Sequence, residues 1–194
     1  LFTGGAGNDV ISGGEGIDIA TFVGTRANFQ ITRTGNQLAV ADGKGTQGND
    51  TLQSVERLQF EDQSVAYDLD GNAGMAARLL GAIAGKTAVV NKEYVGIAID
   101  LLDKGMTADQ IATLALNVVL GGNTSSRAVV GQIYKNLVGS APDDATLTQF
   151  AGMLDRGEMT AGQLGVTAAN LDLNAQNIDL VGLAQNGLGY LLVV

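Results

Sequence analysis

Gly4-Gly5-Ala6-Gly7-Asn8-Asp9-Val10-Ile11-Ser12 is followed without a gap by Gly13-Gly14-Glu15-Gly16-Ile17-Asp18-Ile19-Ala20-Thr21. Both nonapeptides carry glycine at their first, second and fourth positions and aspartate at the sixth. Glycine tolerates the positive-φ backbone of a tight turn and lets carbonyl oxygens converge. The aspartate adds an anionic oxygen, and a set of ligands made of oxygen alone suits a hard cation. Within each unit the last three residues form a short strand whose middle side chain, Ile11 or Ala20, points inward. Ala20 is small, so the core is expected to taper there. Phe2 and Thr3 fall at the eighth and ninth positions of a unit whose beginning is missing, so the chain reads as cut from a longer protein.

The spacing is the G-G-x-G-x-D-x-U-x period of stacked calcium-binding β-repeats, and it resembles the RTX (repeats-in-toxin) family. That resemblance implies a parallel β-roll in which consecutive nonapeptides alternate sides and each Ca²⁺ lies between one repeat and the next but one. It also implies the ligands: the carboxylates of Asp9 and Asp18, with main-chain carbonyls of Gly5, Gly7, Gly14 and Gly16. A degenerate third unit places Gly45, Gly48, Asp50 and Leu52 at the first, fourth, sixth and eighth positions, with Thr46 where a second glycine belongs. Asp50 is therefore a further candidate ligand. Two intact repeats are too few to pair a repeat with the next but one, so completing a site is expected to need sequence outside this stretch.

With 194 residues the chain can bury a real hydrophobic core in one or two domains. It has 11 basic and 20 acidic residues, a net charge of −9, which argues against nucleic acid or an anionic membrane as partner. Cysteine and histidine are absent, which excludes disulfides, thiolate nucleophiles, the usual zinc sites and histidine bases. A serine nucleophile has no histidine to activate it. The pair Asp143-Asp144 after Pro142 reads as a helix N-terminus. Gly121-Gly122-Asn123 reads as a loop, since no Lys-Ser or Lys-Thr follows to make a phosphate cradle. The chain is expected not to be an enzyme, and it has no run of apolar residues long enough for a transmembrane segment.

After the repeats, Phe29–Thr32 and Gln37–Val40 alternate around Thr34-Gly35-Asn36, a hairpin signal. Val55–Phe60 alternates again, and a short strand follows at Ser64–Tyr67. The wording from Ser54-Val55-Glu56-Arg57-Leu58-Gln59-Phe60 to Asp68-Leu69-Asp70-Gly71-Asn72-Ala73 is similar to the small β-segment that closes RTX rolls, which would cover an open end of paired strands. Asp68, Asp70 and Asn72 alternate like the start of an EF-hand loop, but the closing glutamate is missing. Asp70 or Asn72 is the expected helix N-cap.

From Ala73 the period becomes helical, with helices expected near 73–84, 91–104, 107–119, 124–138, 144–156, 160–169 and 174–187. Leu79–Gly85 matches Ile133–Gly139 at an offset of 54, and Leu102–Gly105 matches Leu154–Gly157 at 52. Thr107–Ile111 then aligns with Thr160–Leu164, so a three-helix unit is duplicated. Its second copy, with Tyr134, Leu137, Gly139, Pro142, Asp143 and Phe150, resembles a helical domain of unknown function found beside RTX repeats in secreted and surface-layer-associated bacterial proteins. The arginine usual after the glycine is Ser140 here, and the usual tryptophan is at best Phe150. The apolar tail Leu188–Val194 is similar to the C-terminal export signal read by type I secretion machinery, and it reads equally as a final packed strand.

The expected class is α+β: a parallel β-roll end over 1–21, a small β cap over 22–70, and an all-α domain over 71–194 built from a duplicated unit and carrying the signal. The expected function is a non-catalytic calcium-binding and secretion-targeting region of a larger bacterial protein, extracellular or at the cell surface. One alternative is an adhesion or surface-layer assembly module whose helical domain binds a surface protein, a polysaccharide or itself, with Tyr94, Tyr134 and Phe150 as contact aromatics. Another is the tail of a secreted protease, lipase or epimerase.

Overall fold

The computed structural model describes residues 1–45 and 47–193, so Thr46 of the degenerate unit and Val194 of the tail lie outside the described residues. The fold is α+β, with all but one of the described strands ahead of the helices and the last, near the C-terminal end, after them. Strands β1 (Phe2–Thr3), β2 (Val10–Ser12) and β3 (Ile19–Thr21) are separated by the two glycine turns. β1 pairs in parallel with β3, while β2 belongs to a second sheet, so each nonapeptide carries the chain from one sheet to the other.

The chain then makes a detour. β4 (Phe29–Thr34) and β5 (Gln37–Asp42) form a hairpin joined by Gly35-Asn36, with Gly35 at φ +63°. β6 (Asn49–Gln53) returns to lie parallel to β2, and β7 (Arg57–Gln59) lies parallel to β3. β8 (Ser64–Ala66) and β9 (Leu188–Tyr190) complete a five-stranded sheet of order β1-β3-β7-β8-β9, facing a four-stranded sheet of order β2-β6-β5-β4. The parallel roll thus resumes for two more strands after the hairpin.

Register explains the core between the sheets. Ile11 pairs with Leu52 and Ala20 with Leu58, so inward residues of β2 and β3 meet inward residues of β6 and β7, and all four are buried. Phe22, Phe29 and Phe60 close the far end of this core, with ring centroids 5.3, 5.5 and 5.0 Å apart. Such ring clusters bind beyond their buried area.

Eight α-helices are described: α1 (Asn72–Ala84), α2 (Lys92–Asp103), α3 (Ala108–Val119), α4 (Ser126–Val138), α5 (Asp144–Asp155), α6 (Ala161–Ala169), α7 (Asp172–Asn177) and α8 (Leu180–Asn186). The matching segments of sequence become matching helices. Thr107 with Gln110 and Thr160 with Gln163 form two capping boxes, at the starts of α3 and α6. Where these two helices cross, a methyl group at Gly165 would press on Ala112 at 3.0 Å, so the small residue sets their approach. Asn136 of α4 donates to the carbonyls of Ala82 and Ile83 at 3.1 and 2.7 Å, satisfying the open end of α1. Asp143 caps α5 by accepting from the Thr146 N–H at 2.7 Å, which holds its carboxyl below the ordinary range.

Two local expectations are corrected. The helix expected over 174–187 breaks in two, because Asp179 adopts φ +51° and its carboxylate accepts from the Gly182 N–H, starting α8 afresh. The cap of α1 comes from neither Asp70 nor Asn72. Asp68 accepts from the Ala73 N–H at 3.1 Å, reaching in from a buried position four residues before the helix starts.

One edge strand of each sheet is covered by a helix. α8 lies along β4, where Arg33 Nη1 donates to Ala184 O at 2.6 Å. α2 lies along β9, and the Leu191 N–H donates to Lys92 O at 3.0 Å. Gly96 makes this second contact possible, since a Cβ there would collide with the carbonyl oxygen of Leu191. Gly96→Ala is expected to overpack the seam and lower stability by about 1–3 kcal/mol, read as the midpoint of a urea unfolding curve.

Candidate metal centre

The glycines of the two opening turns do two different jobs. Gly5, Gly7, Gly14 and Gly16 sit at φ +93, +111, +102 and +101°, a region L side chains rarely enter. Gly4 and Gly13 are there for space. A Cβ on Gly4 would lie 2.9 Å from Asp9 Oδ2, and one on Gly13 would lie 2.8 Å from Asp18 Oδ2. In each turn the aspartate folds its carboxylate back over the first glycine.

Each turn is stacked on a later one. Asp9 N–H donates to Asp50 Oδ1 at 2.9 Å, Asn49 N–H donates to Asn8 Oδ1 at 2.8 Å, and Thr51 N–H donates to Asp9 O at 2.8 Å. Gly48, at φ +83°, leaves no room for a Cβ beneath the Gly7 carbonyl and the Asn8 side chain. The degenerate unit therefore serves as the next-but-one partner of the first repeat, once the hairpin has been passed. Asp18 also has a partner, though not an aspartate: its N–H donates to Glu56 Oε2 at 2.9 Å.

Asp9 and Asp50 are thus brought together, and Asp18 sits in the second turn with Glu56. Asp50 is 3 % exposed. Burial pushes its carboxyl above the ordinary value, the hydrogen bond from Asp9 opposes this, and the nearby Asp9 charge adds to the rise. Asp9 Oδ2 and Asp18 Oδ2 are the buried side-chain oxygens that lack a hydrogen-bond partner among the described residues. Unpaired buried carboxylate oxygens are costly, and a cation is one remedy. No group of three or more His, Cys, Asp or Glu that could hold a metal occurs among the described residues. Carboxylates come in pairs here, so a bound ion would need main-chain carbonyls as well, which glycine turns can present.

A family model described as RTX calcium-binding nonapeptide repeat (4 copies) matches residues 1–20. The opening segment is RTX repeat. RTX nonapeptides bind calcium and are typical of secreted bacterial proteins, and the donor set of these two turns, oxygen throughout, fits that ion. Neither the curated proteins nor the solved structures give a match to the chain. No described helix is long and apolar enough to cross a membrane.

Two features beside the RTX turns escape a reading by pattern. Glu56 follows no glycine, and only the register of β7 against β3 reveals that it stands opposite Asp18. Next to it, Arg57 is 4 % exposed and clamped between Asp68 and Asp103, joining roll, cap and α2. Asp68 and Asn72 are used in this network, with Asn72 Nδ2 donating to Asp103 Oδ1 at 2.8 Å.

Proposed function

We propose that the chain is a non-catalytic calcium-binding and type I secretion-targeting region of a larger secreted bacterial protein, and that calcium completes its folding outside the cell. The observation that carries this reading is the pair of orphaned oxygens, Asp9 Oδ2 and Asp18 Oδ2, each buried at the mouth of a glycine turn. A bound Ca²⁺ would supply the partner that these two carboxylate oxygens lack. Asp9 and Asp50 would hold it at the first turn with carbonyls of Gly5 and Gly7. Asp18 would do so at the second with carbonyls of Gly14 and Gly16. Where calcium is scarce, like charges at Asp9 and Asp50 oppose closure and the exported chain stays threadable. Outside, at roughly millimolar calcium, sites of Kd about 10⁻⁴–10⁻³ M fill.

The tail supports the export half of the reading. Among the described residues the tail is held by pairing of β9 with β8, by burial of Leu188 and Tyr190, and by the bond from Leu191 to Lys92, contacts that need β8 and α2 to have formed. An unfolded chain therefore offers this apolar segment freely, and folding withdraws it. Calorimetric titration of the chelator-stripped chain with CaCl₂ tests the calcium half: binding that Asp9→Asn and Asp50→Asn each weaken is expected. Absence of any heat up to roughly 10 mM CaCl₂, above the Kd range of extracellular sites, would remove it.

One observation favours the adhesion reading. The duplicated unit presents two apolar grooves at corresponding places, of about 380 and 340 Å³, one holding Tyr94 and Ile97 and the other Tyr134 and Phe150. Ile97 lies on α2 and Phe150 on α5, the helices that correspond in the two copies, although Phe150 itself aligns with Ala98. Sedimentation velocity separates this reading: a concentration-dependent dimer that Ile97→Lys or Phe150→Lys abolishes would support self-association through the grooves.

A further inference from the structure

We propose that Glu56 completes a second divalent-cation site with Asp18, built differently from the one at Asp9 and Asp50. The proposal rests on the calcium reading above and adds to it a ligand that no repeat pattern contains.

The case is a term-by-term correspondence. Val10 pairs with Thr51 and Ile19 with Arg57, so residue 50 stands opposite Asp9 as residue 56 stands opposite Asp18. The Asp9 N–H donates to a carboxylate oxygen of Asp50 at 2.9 Å, and the Asp18 N–H donates to one of Glu56 at the same 2.9 Å. Thr51 N–H returns a bond to Asp9 O at 2.8 Å, and Arg57 N–H returns one to Asp18 O at 3.0 Å. In both turns the same atom, Oδ2 of the earlier aspartate, is left buried and unpartnered among the described residues.

The difference lies in the length of the later turn. Six residues, 13–18, link β2 to β3, but only Ser54, Val55 and Glu56 link β6 to β7. The shortened turn holds Ser54 at φ +51° and presses its carbonyl oxygen into the space beside Gly13, where Asp18 Oδ2 also lies. A main-chain oxygen and an orphaned carboxylate oxygen thus converge on one spot. Glutamate, one methylene longer than aspartate, brings its carboxylate onto the Asp18 N–H at 2.9 Å while its own N–H donates to Asp18 O at 3.1 Å, so it is held against the same turn. The neighbouring cation does not oppose a divalent ion there, because the Arg57 guanidinium is already engaged by Asp68 and Asp103.

The test is calcium titration of the chelator-stripped chain by calorimetry, comparing the original protein with Glu56→Gln, Asp18→Asn and Asp50→Asn. Glu56→Gln and Asp50→Asn keep an oxygen that can accept the bond seen here, and Asp18→Asn leaves the donating Asp18 N–H in place, so the fold is retained, and far-UV circular dichroism checks it. Two binding events are expected in the original chain. Glu56→Gln and Asp18→Asn should weaken the same one by roughly tenfold or more and leave the other intact, while Asp50→Asn does the reverse. Glu56→Asp should resemble Glu56→Gln, since the shorter side chain loses its reach. If Glu56→Gln binds as the original does while Asp50→Asn loses an event, the Glu56 site is overturned and the calcium reading stands. A single event abolished by either change overturns separate sites, and no binding by the original chain overturns both proposals.

Discussion

Replacing Arg57 with methionine is expected to lower the stability of the chain by about 3–5 kcal/mol, the largest effect of any single substitution considered. Its guanidinium is buried and meets Asp68 twice, from Nη2 to Oδ2 at 3.0 Å and from Nε to Oδ1 at 3.3 Å. Nη1 and Nη2 both donate to Asp103 at the end of α2. Burial alone would lower the Arg57 pKa, but the hydrogen bonds it donates to Asp103 and Asp68 outweigh it and hold the group above its ordinary value. Methionine fills much of the same volume, so the loss is electrostatic: among the described residues the buried Asp68 carboxylate is left with the Ala73 N–H as its side-chain partner. The double change Arg57→Met with Asp68→Leu should recover most of the loss, because a buried pair removed together is often nearly neutral. Urea unfolding of the three proteins checks this, and a single-mutant loss below about 1 kcal/mol would contradict the assignment. The pH dependence has a definite sign. Burial raises the Asp103 carboxyl, but bonds from Arg57 and Asn72 overcome that and leave it below the ordinary value. Its contribution is therefore present at neutral pH and lost as pH falls through that lowered pKa. Arg57→Met should be missing this part of the acid limb.

How much of this was legible beforehand follows from the range of the interactions involved. Turn positions such as Gly5 and Gly7 announce themselves locally, because positive φ restricts residue type whatever lies nearby. The helices were legible for a similar reason: Thr107 with Gln110, and Thr160 with Gln163, are caps written within four residues. The stacking of Asp50 on Asp9 was not, since it depends on how a hairpin of β4 and β5 returns the chain to register across forty residues. Asp50 itself could be suspected from its place in a degenerate nonapeptide. Glu56 could not, because no glycine precedes it and its alignment with Asp18 exists only once β7 lies beside β3. Arg57 looked like one charge in an alternating strand, and its meaning comes from Asp68 and Asp103, both distant in sequence. Asp68 in turn displaced the expected cap of α1 because a longer reach was available from a buried position already anchored by Arg57. The break at Asp179 was hidden by apolar residues on either side that keep a helical period through it.

Calcium is expected to raise the melting temperature of the chelator-treated chain, and the Asp50→Asn variant should lose much of that rise while gaining stability without calcium. A site at 100 times its Kd adds about 2.7 kcal/mol. For a chain of this length about 2–4 °C accompanies each kcal/mol, so one filled site should raise the midpoint by roughly 5–11 °C. Magnesium should do less, because it demands octahedral geometry at shorter distances and gives up water reluctantly. Asp50 sharpens the comparison because its two roles oppose one another. Burial and the Asp9 charge hold its carboxyl above the ordinary range in the calcium-free fold. A raised carboxyl pKa favours the folded state only while the group is protonated, so ionised Asp50 weakens the empty fold at neutral pH. The amide oxygen of asparagine can still accept from the Asp9 N–H, yet it brings no charge. Asp50→Asn should therefore melt at or above the original chain in EDTA and below it in excess calcium. Melting curves that keep the same order in both conditions would show that Asp50 serves packing alone, and only a ligand role makes the two curves cross.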